Sequence, residues 1–358
     1  MARRFLLFSG HNDRAVVTLC RYFDQAGLPF VIVAAGQRDA IHRTRWRDHV
    51  IFNRLDAQVT VDWLSELATS QGGELVYCPT TEFINHFVLA NRAALQAAGW
   101  HIGLPDQAIY EALTGKHSSQ ALMGSLCPDL VLPATQADDA WQAPCVLKPR
   151  ENVAHGRVLY PLLCRSPQEL DQALSGLDRR DYFAQDFISG QSHYLCAYLS
   201  QSGQYASFWQ VNLMQQPGGK SIVLARPSGN PGLDEARLFA GLHEKGYHGA
   251  FMLELIECAG QLYYIEVNPR FWGPLQLALD VCPEILRLFA QDQGFTQVPT
   301  LAAHQPDQAC YAWAFGAHQP GCVVHPAAQT LLPVELDRLL TTHDVYARDD
   351  TQALHACH

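Results

Sequence analysis

The sequence predicts an α/β protein that begins with an open, mostly parallel sheet and continues into α+β lobes built on antiparallel strands. Three observations support this fold class. Apolar runs of strand length alternate with segments of helical spacing over roughly the first 100 residues. From about residue 128 short apolar segments dominate, and two pairs of them flank turns that contain glycine. The length of 358 residues exceeds one typical core, so two or three lobes are expected.

In the N-terminal part, predicted strands and helices alternate along the chain. The strands are residues 5–9, 28–35, 49–53 and 75–78, and the helices are residues 11–26, 61–69 and 80–98. Such alternation places helices on the faces of a parallel sheet. The polar segment Ser9-Gly10-His11-Asn12 follows the first strand, where an open sheet forms its crevice. A GxGxxG motif is missing there, so we do not predict a dinucleotide site.

The second part of the chain has short apolar segments that are typical of small antiparallel sheets. A small lobe is predicted from strands at residues 130–133, 145–148, 157–163 and 182–188 and a helix at residues 167–177. Two hairpins follow, residues 193–199 with 204–210 and residues 250–256 with 262–267, and then a helix at residues 274–291. The remaining C-terminal residues give no clear pattern.

Composition narrows the class of protein. The net charge of −10 disfavours a nucleic-acid partner, and no apolar stretch is long enough for a membrane span. The N-terminal apolar run is too short for a signal peptide. Eleven scattered cysteines without CxxC pairs, and sixteen histidines without HExxH, give no metal motif. We therefore expect a cytoplasmic enzyme with reduced thiols.

The sharpest chemical feature is the second predicted hairpin. Glu254 lies on its first strand and Glu266 on its second, with a turn between them. Antiparallel pairing would bring the two carboxylates together, and Asn268 would share the face of Glu266 because side chains alternate along a strand. Such oxygen ligands suit Mg²⁺. The alternative is a pair of acids on a solvated sheet face.

Two lysines are candidate phosphate ligands. Lys148 ends an apolar strand in PCVLKPR and is followed by a polar loop, an arrangement that could bind a phosphate. The alternative is an ordinary lysine at a strand end. Lys116, in LTGKHSS, closes an amphipathic helical stretch and is uninformative by itself.

The order of these motifs resembles that of the ATP-grasp superfamily. LTGK and PCVLKPR are similar to its two phosphate-lysine motifs, and AQDFISG (residues 184–190) is similar to its adenine-reading hinge. FMLEL and YYIEVNPRFWG are similar to its paired metal strands. The resemblance covers residues 116–280, and the N-terminal unit matches the lobe that precedes them in the family. Within the superfamily the chain is most similar to carboxylate–amine ligases that act on amino acids and peptides.

The resemblance implies three units, namely an N-terminal domain (1–115), a central lid subdomain (116–189) and a C-terminal subdomain with the metal site (190–358). It also implies that Glu254, Glu266 and Asn268 hold Mg²⁺, with Mn²⁺ as an alternative ion. ATP would be bound by Lys116, Lys148, Gln185, Asp186, Phe187, Ile188 and Leu253. Arg270 and Lys148 would be catalytic, with Arg270 holding the substrate carboxylate or the transferring phosphoryl group.

The implied reaction forms an amide through an acyl phosphate. The substrates would be a small carboxylate, such as an amino acid or its derivative, and an amine, and assembly as a homodimer is left open. A nucleotide-binding or regulatory protein without turnover, or a phosphotransferase on the same fold, are the alternatives. Two departures from the family pattern stand out. The loop after Lys148 has one glycine, and Ser192 and His193 occupy the place of a ribose-binding acid. Arg226 is a weaker candidate for a phosphate or substrate contact.

Overall fold

The computed structural model describes residues 3–56, 58–150, 153–154 and 157–355. The N-terminal unit contains β1 (Arg3–Phe8), α1 (Asp13–Gln25), β2 (Phe30–Ala34), β3 (Val50–Asn53), α2 (Val61–Gln71), β4 (Glu74–Tyr77), α3 (Glu82–Ala90), α4 (Arg92–Ala97) and β5 (Trp100–His101). Its five strands form a parallel sheet in the order β3-β2-β1-β4-β5. This sheet confirms the predicted open α/β unit.

Local side-chain chemistry sets the limits of the helices in this unit. The Thr60 hydroxyl accepts a hydrogen bond from the Trp63 N–H at the start of α2, and Gly72 ends α2 in the left-handed region, at φ 64°. The single helix predicted at residues 80–98 is wrong, because the structure has α3 and α4 there. Asn91 leaves the helical conformation between them, and its side-chain amide donates to the Phe87 carbonyl.

A connecting pair of helices, α5 (Gln107–Thr114) and α6 (Lys116–Leu126), leads to a small lobe, here called the lid after its predicted role. The lid contains β6 (Cys145–Pro149), β7 (Val153–Ala154), β8 (Arg157–Val158), β9 (Leu162–Cys164), α7 (Pro167–Gly176) and β10 (Tyr182–Asp186). Strands β10, β6 and β9 form an antiparallel sheet, and β7 pairs with β8. The strand predicted at residues 157–163 is therefore two strands. A small separate core, which includes Trp141, Leu147 and Tyr182, lets the lid hold together as a unit.

The C-terminal part contains β11 (Gln191–Leu199), β12 (Tyr205–Gln215), β13 (Ile222–Ser228), α8 (Glu235–Glu244), β14 (Gly249–Cys258), β15 (Gln261–Asn268), α9 (Leu275–Val281), α10 (Glu284–Asp292), β16 (Tyr311–Ala312), α11 (Ala314–Ala317), β17 (Val323–Val324), α12 (Pro333–Thr342) and α13 (Gln352–His355). Its antiparallel sheet has the order β15-β14-β11-β12-β13-β16, and β17 pairs with β12. Both predicted hairpins are confirmed. The helix predicted at residues 274–291 is interrupted. Cys282 precedes Pro283 and takes a non-helical conformation, as a residue before proline prefers.

The lobes meet through the C-terminal sheet. Helix α6 packs against β15 and α8, and its residues Met123 and Leu126 belong to the core on that side of the sheet. The chain segment that begins the predicted lid subdomain thus packs on the C-terminal sheet. The opposite side of the sheet packs against α1, α9 and α10 in a core shared with the N-terminal unit.

Two sequence expectations concern chemistry rather than architecture. Ten cysteines lie in the described part of the chain, and all ten are free thiols. None of the helices in that part combines the length and the apolar character needed to cross a membrane.

Candidate active site

The β14–β15 hairpin places the predicted metal ligands together. Glu254 is directly opposite Glu266 in the strand register, and Met252 is opposite Asn268. A register shift after Glu254 leaves Ile265 as an extra residue on β15. Because side chains alternate beyond this bulge, Glu254, Glu266 and Asn268 share one face of the sheet.

Hydrogen bonds fix these side chains relative to one another. The Asn268 amide donates to Glu266 Oε1 at 2.8 Å, and the Arg270 guanidinium donates to Asn268 Oδ1 at 3.2 Å. The Ser192 hydroxyl, on the neighbouring strand β11, donates to Glu254 Oε1 at 3.1 Å. Within the described residues no group of three His, Cys, Asp or Glu side chains is placed to hold a metal. A cation here would therefore need the Asn268 amide oxygen and ligands from a bound molecule.

The two carboxyl groups differ in acidity. Burial and the neighbouring Glu266 raise the pKa of Glu254 from 4.5 to about 7. Burial also acts to raise the pKa of Glu266. The Lys116 ammonium, 3.8 Å away, the Asn268 hydrogen bond and Lys148 outweigh this effect, so the pKa of Glu266 is lowered. Near neutral pH, Glu266 carries the fixed negative charge and Glu254 titrates.

Both predicted phosphate lysines reach this hairpin from elements outside it. Lys116 is the first residue of α6, which corrects the prediction that it closes a helix, and its Nζ lies 3.8 Å from Glu266 Oε2. The Lys148 ammonium, on lid strand β6, donates to the carbonyl of the bulged residue Ile265 at 3.1 Å. Burial lowers the pKa of Lys148. Two cations and two carboxylates therefore converge where the lid meets the C-terminal sheet.

The glycine-poor loop after Lys148 falls largely outside the described residues. Of this loop, Arg150 and the strand residues 153–154 are described, the latter within the β7–β8 hairpin. Its predicted contact with a phosphate stays a prediction.

The predicted hinge runs from the last strand of the lid toward β11. Gln185 is buried, and its amide donates to the Pro133 carbonyl at 3.3 Å. The backbone N–H groups of Asp186 and Phe187 donate to the carbonyls of Ala134 and Pro144. These two N–H groups therefore already have partners inside the lid.

The structure corrects one predicted nucleotide contact. Leu253 is fully buried and belongs to the core that α6 and α8 form with the sheet. It lies on the face opposite Glu254, so the prediction that it contacts adenine is wrong. Ile256 is partly buried and shares the face of Glu254, two residues along β14.

Arg226 is also removed from the site. On neighbouring strands, Arg226 pairs with Val211 and Val211 pairs with His193. His193 in turn pairs with Leu255. This row crosses the sheet on the face opposite Glu254, so the weaker prediction for Arg226 is wrong.

Sequence reasoning missed the role of Ser192. The pairing of β11 with β14 puts Ser192 on the face of Glu254 and sends His193 to the other face, where its Nε2 lies 3.3 Å from Glu257 Oε2. Alternation along β11 could have separated the two residues. The β14 partner of β11, however, is more than fifty residues away in sequence and could not be identified locally.

The rim of the N-terminal sheet contacts the segment that carries Arg270. The Asn12 amide donates to the carbonyls of Thr80 and Phe271 at 3.1 Å each, and the Phe271 N–H donates to the Pro79 carbonyl at 2.9 Å. The polar segment at residues 9–12, predicted to border a crevice, therefore lies beside the end of β15. Arg270 is held there between the β14–β15 hairpin and the N-terminal unit.

Comparison with known proteins defines the class of fold. No protein-family model matches the sequence, and no curated protein matches it. Many solved structures match the fold. The biotin carboxylase domain of Hydrogenobacter thermophilus 2-oxoglutarate carboxylase, a dimer in complex with MgADP, ADP and bicarbonate, has a TM-score of 0.61 at 15% identity, covering 84% of this chain and 71% of that one. Biotin carboxylase from Campylobacter jejuni, in complex with β,γ-ATP, also has a TM-score of 0.61, at 14% identity, covering 83% of this chain and 72% of that one.

A third match is the ADP complex of N5-carboxyaminoimidazole ribonucleotide synthetase. Its TM-score is 0.61 at 12% identity, covering 85% of this chain and 79% of that one. The chain has the ATP-grasp fold, which confirms the fold that the motif resemblance predicted. At these identities the comparisons establish the fold, and the chemistry has to be argued from the site.

We predict that the affinity of the site for Mg²⁺ rises with pH. Glu254 must lose its proton to bind a cation, and its pKa is about 7. Affinity should therefore increase about tenfold between pH 6 and pH 8, as calorimetric titration can measure. In the metal-free protein, the contribution of Glu254 to the stability of the fold falls with pH, whereas Mg²⁺ affinity rises. A carboxyl group with a raised folded-state pKa stabilises the fold at low pH, and that contribution is lost as the pH rises from 4.5 through about 7.

The matched variant for this titration is Ser192→Ala. The Ser192 hydroxyl stabilises the ionised form of Glu254, so its removal should move the midpoint of the Mg²⁺ titration to higher pH. An affinity that is constant from pH 6 to pH 8 would contradict the assignment of Glu254.

Proposed function

We propose that the chain is an ATP- and Mg²⁺-dependent ligase that joins a carboxylate to an amine through an acyl phosphate. The observation that carries the proposal is the convergence of Lys116, Lys148 and Arg270 on the Glu254/Glu266/Asn268 set. Such a combination of oxygen ligands and cations matches a metal–nucleotide complex better than a structural ion pair. It also matches the order of motifs along the chain.

The proposed metal ligands fit Mg²⁺ by their chemistry. Glu254, Glu266 and Asn268 offer only oxygen atoms, as this hard cation prefers, and Mn²⁺ accepts the same ligands. Two acids leave positions for phosphate oxygens and water. When bound, Mg²⁺ would neutralise charge on the phosphates of ATP.

The remaining nucleotide contacts come from the lid and the hinge. Lys148 and Lys116 would exchange their present partners, the Ile265 carbonyl and Glu266, for phosphate oxygens. In the proposal adenine lies against Phe187 and Ile188, with Ile256 in place of Leu253. Gln185 and Asp186 then shape the hinge from the lid side.

Arg270 is the proposed catalytic cation. Its guanidinium is anchored to Asn268 Oδ1 and to the Phe271 carbonyl, which leaves donors for a substrate oxyanion beside the metal ligands. There it would hold the carboxylate in line with the γ-phosphate and offset charge that develops on the transferring phosphoryl group. Lys148 would contribute to the same charge neutralisation, and closure of the lid would keep water from the acyl phosphate.

The fold neighbours support this proposal in a general way. The Hydrogenobacter domain is described with MgADP and bicarbonate, a nucleotide together with a small oxyanion. The proposed substrates here, a carboxylate and ATP, have the same combination of charges. Homodimeric assembly stays a prediction for this chain.

The test is a screen for phosphate release. Purified protein with Mg-ATP is given amino acids and other small carboxylates, singly and paired with amines, and products are identified by mass. We expect release to need a carboxylate, and hydroxylamine to trap an acyl hydroxamate in the absence of amine. If ATP binds but release never depends on a carboxylate, the ligase proposal is wrong and a nucleotide-binding protein without turnover takes its place. Phosphate transfer to a stable acceptor would instead indicate a phosphotransferase.

A further inference from the structure

Arg14 occupies an unusual place beside the proposed site. It is the second residue of α1 and reaches out of the N-terminal unit to the C-terminal sheet. Its Nη1 donates to the Ile222 carbonyl and the Tyr311 hydroxyl at 3.1 Å each, and its Nη2 donates to the Ser221 hydroxyl at 3.0 Å. The guanidinium lies 4.1 Å from the ring centroid of Trp313. Stacking on an aromatic ring holds such a group in one plane.

The charge of Arg14 is not matched by these contacts. All four partners are neutral, and among the ion pairs between described residues none contains Arg14. Burial and Asp39 raise the pKa of the neighbouring Asp13, and the charge of Arg14 acts to lower it. The Asp13 carboxylate accepts the Gly10 N–H at 2.7 Å and, among the described residues, forms no ion pair with Arg14. A cation in the first turn of a helix is also disfavoured by the helix dipole. The position therefore suits an additional anion.

Arg14 also has donors to offer. A guanidinium has five N–H groups, and the hydrogen bonds to described residues use three of them. The side chains of Arg14, Ser221 and Trp313 are each partly exposed, so the guanidinium of Arg14 is accessible to a small molecule from solvent. Two free donors on a planar group suit the two oxygens of a carboxylate.

Arg14 packs against the chain segment that follows Arg270. A Cβ atom at Gly273 would lie 2.9 Å from Arg14 Nη2, so the guanidinium packs directly against this glycine. Three residues of chain span at most about 10 Å, so Arg270 and Gly273 are close. Asn12, two residues before Arg14, donates a hydrogen bond from its side-chain amide to the Phe271 carbonyl in the same segment. One small molecule could therefore contact both arginines.

We infer that Arg14 binds a second carboxylate of the acyl substrate, which makes that substrate a dicarboxylic acid, with acidic amino acids included in the class. One carboxylate lies at Arg270 and is activated, and the other is held by Arg14 against Trp313. This inference rests on the proposed function, because it assigns the substrate class of the same site. Arg14 is a specificity-determining residue and takes no part in phosphoryl transfer.

The experiment compares dicarboxylates with monocarboxylates of equal chain length. Binding is measured by calorimetry in the presence of Mg²⁺ and a non-hydrolysable ATP analogue, and turnover by phosphate release with Mg-ATP. The proteins are wild type, Arg14→Gln, Arg14→Lys and the control Arg47→Gln, which changes an exposed arginine of the same unit. We expect wild type to prefer a dicarboxylate. Arg14→Gln should raise its Kd and KM about 10- to 100-fold, leaving KM for ATP unchanged.

The outcomes separate this inference from the ligase proposal. Partial recovery in Arg14→Lys and wild-type behaviour in Arg47→Gln would support specific recognition. If monocarboxylates bind and turn over as well as dicarboxylates, or if Arg14→Gln weakens the binding of both classes equally, the inference is wrong while the ligase proposal stands. If dicarboxylates bind in an Arg14-dependent way but no carboxylate drives phosphate release, the ligase proposal is wrong and the binding role of Arg14 stands.

Discussion

Replacing Glu266 with alanine is expected to lower ATP turnover by at least about 10³-fold while leaving the fold intact. Glu266 accepts from the Asn268 amide and lies 3.8 Å from Lys116. It is also one of only two acids in the proposed metal set. Its removal would leave a cation site with a single carboxylate and two lysines without their counter-charge. ADP release measured at saturating Mg-ATP and substrate tests this prediction.

The matched control is Glu257→Ala. Glu257 belongs to the same hairpin, is exposed, and lies on the face opposite Glu254, so turnover should stay near the wild-type value. Circular dichroism of both variants checks that the sheet is formed. Wild-type ADP release by a folded Glu266→Ala variant would show that the metal assignment is wrong.

Replacing Asp350 with alanine is expected to lower the free energy of unfolding by about 3–5 kcal/mol. Asp350 accepts from Arg21 Nε at 2.6 Å and from Arg21 Nη2 at 2.5 Å, and the Arg21 side chain is only 3% exposed. Arg21 also donates to the Val345 carbonyl and to Gln276. Without Asp350 a buried guanidinium would keep its charge and lose its counter-ion. The C-terminal segment would then be held less firmly against α1.

Urea unfolding of wild type, Asp350→Ala and Asp349→Ala measures this effect. Asp349 is adjacent and exposed, and its carboxylate accepts only a local bond from Gln352, so its removal should change the free energy of unfolding by no more than about 0.5 kcal/mol. Equal changes in the two variants would contradict a special contribution from the Arg21–Asp350 pair.

Much of the proposed metal site could be predicted because its parts are close in sequence. Glu254 and Glu266 are joined by one hairpin, and a hairpin brings its two strands together whatever the rest of the chain does. Asn268 and Arg270 follow on the same strand and its exit. Strand alternation predicts that Glu266 and Asn268 share a face. The register shift at Ile265 puts that face on the side of Glu254, and this bulge is seen only in the structure.

The breaks within two predicted helices are harder to predict from the spacing of apolar residues. The helices predicted at residues 80–98 and 274–291 are each interrupted in the structure. Asn91 and the Cys282-Pro283 pair end the helices there through local backbone chemistry. Both signals are present in the sequence, as Asn91 and as Pro283.

The sequence by itself determined the alternating N-terminal unit, the two hairpins, the Glu254/Glu266/Asn268 set and the resemblance that implied two phosphate lysines. These features depend on chain neighbours or on one turn. Only the tertiary structure decided that Lys148 reaches the bulge at Ile265, that Leu253 faces the core, and that Ser192 supports Glu254. It alone brought Arg14 to Trp313, 299 residues later in the chain. The physical reason is that strand pairing and packing between lobes join segments whose sequence separation leaves no periodic trace.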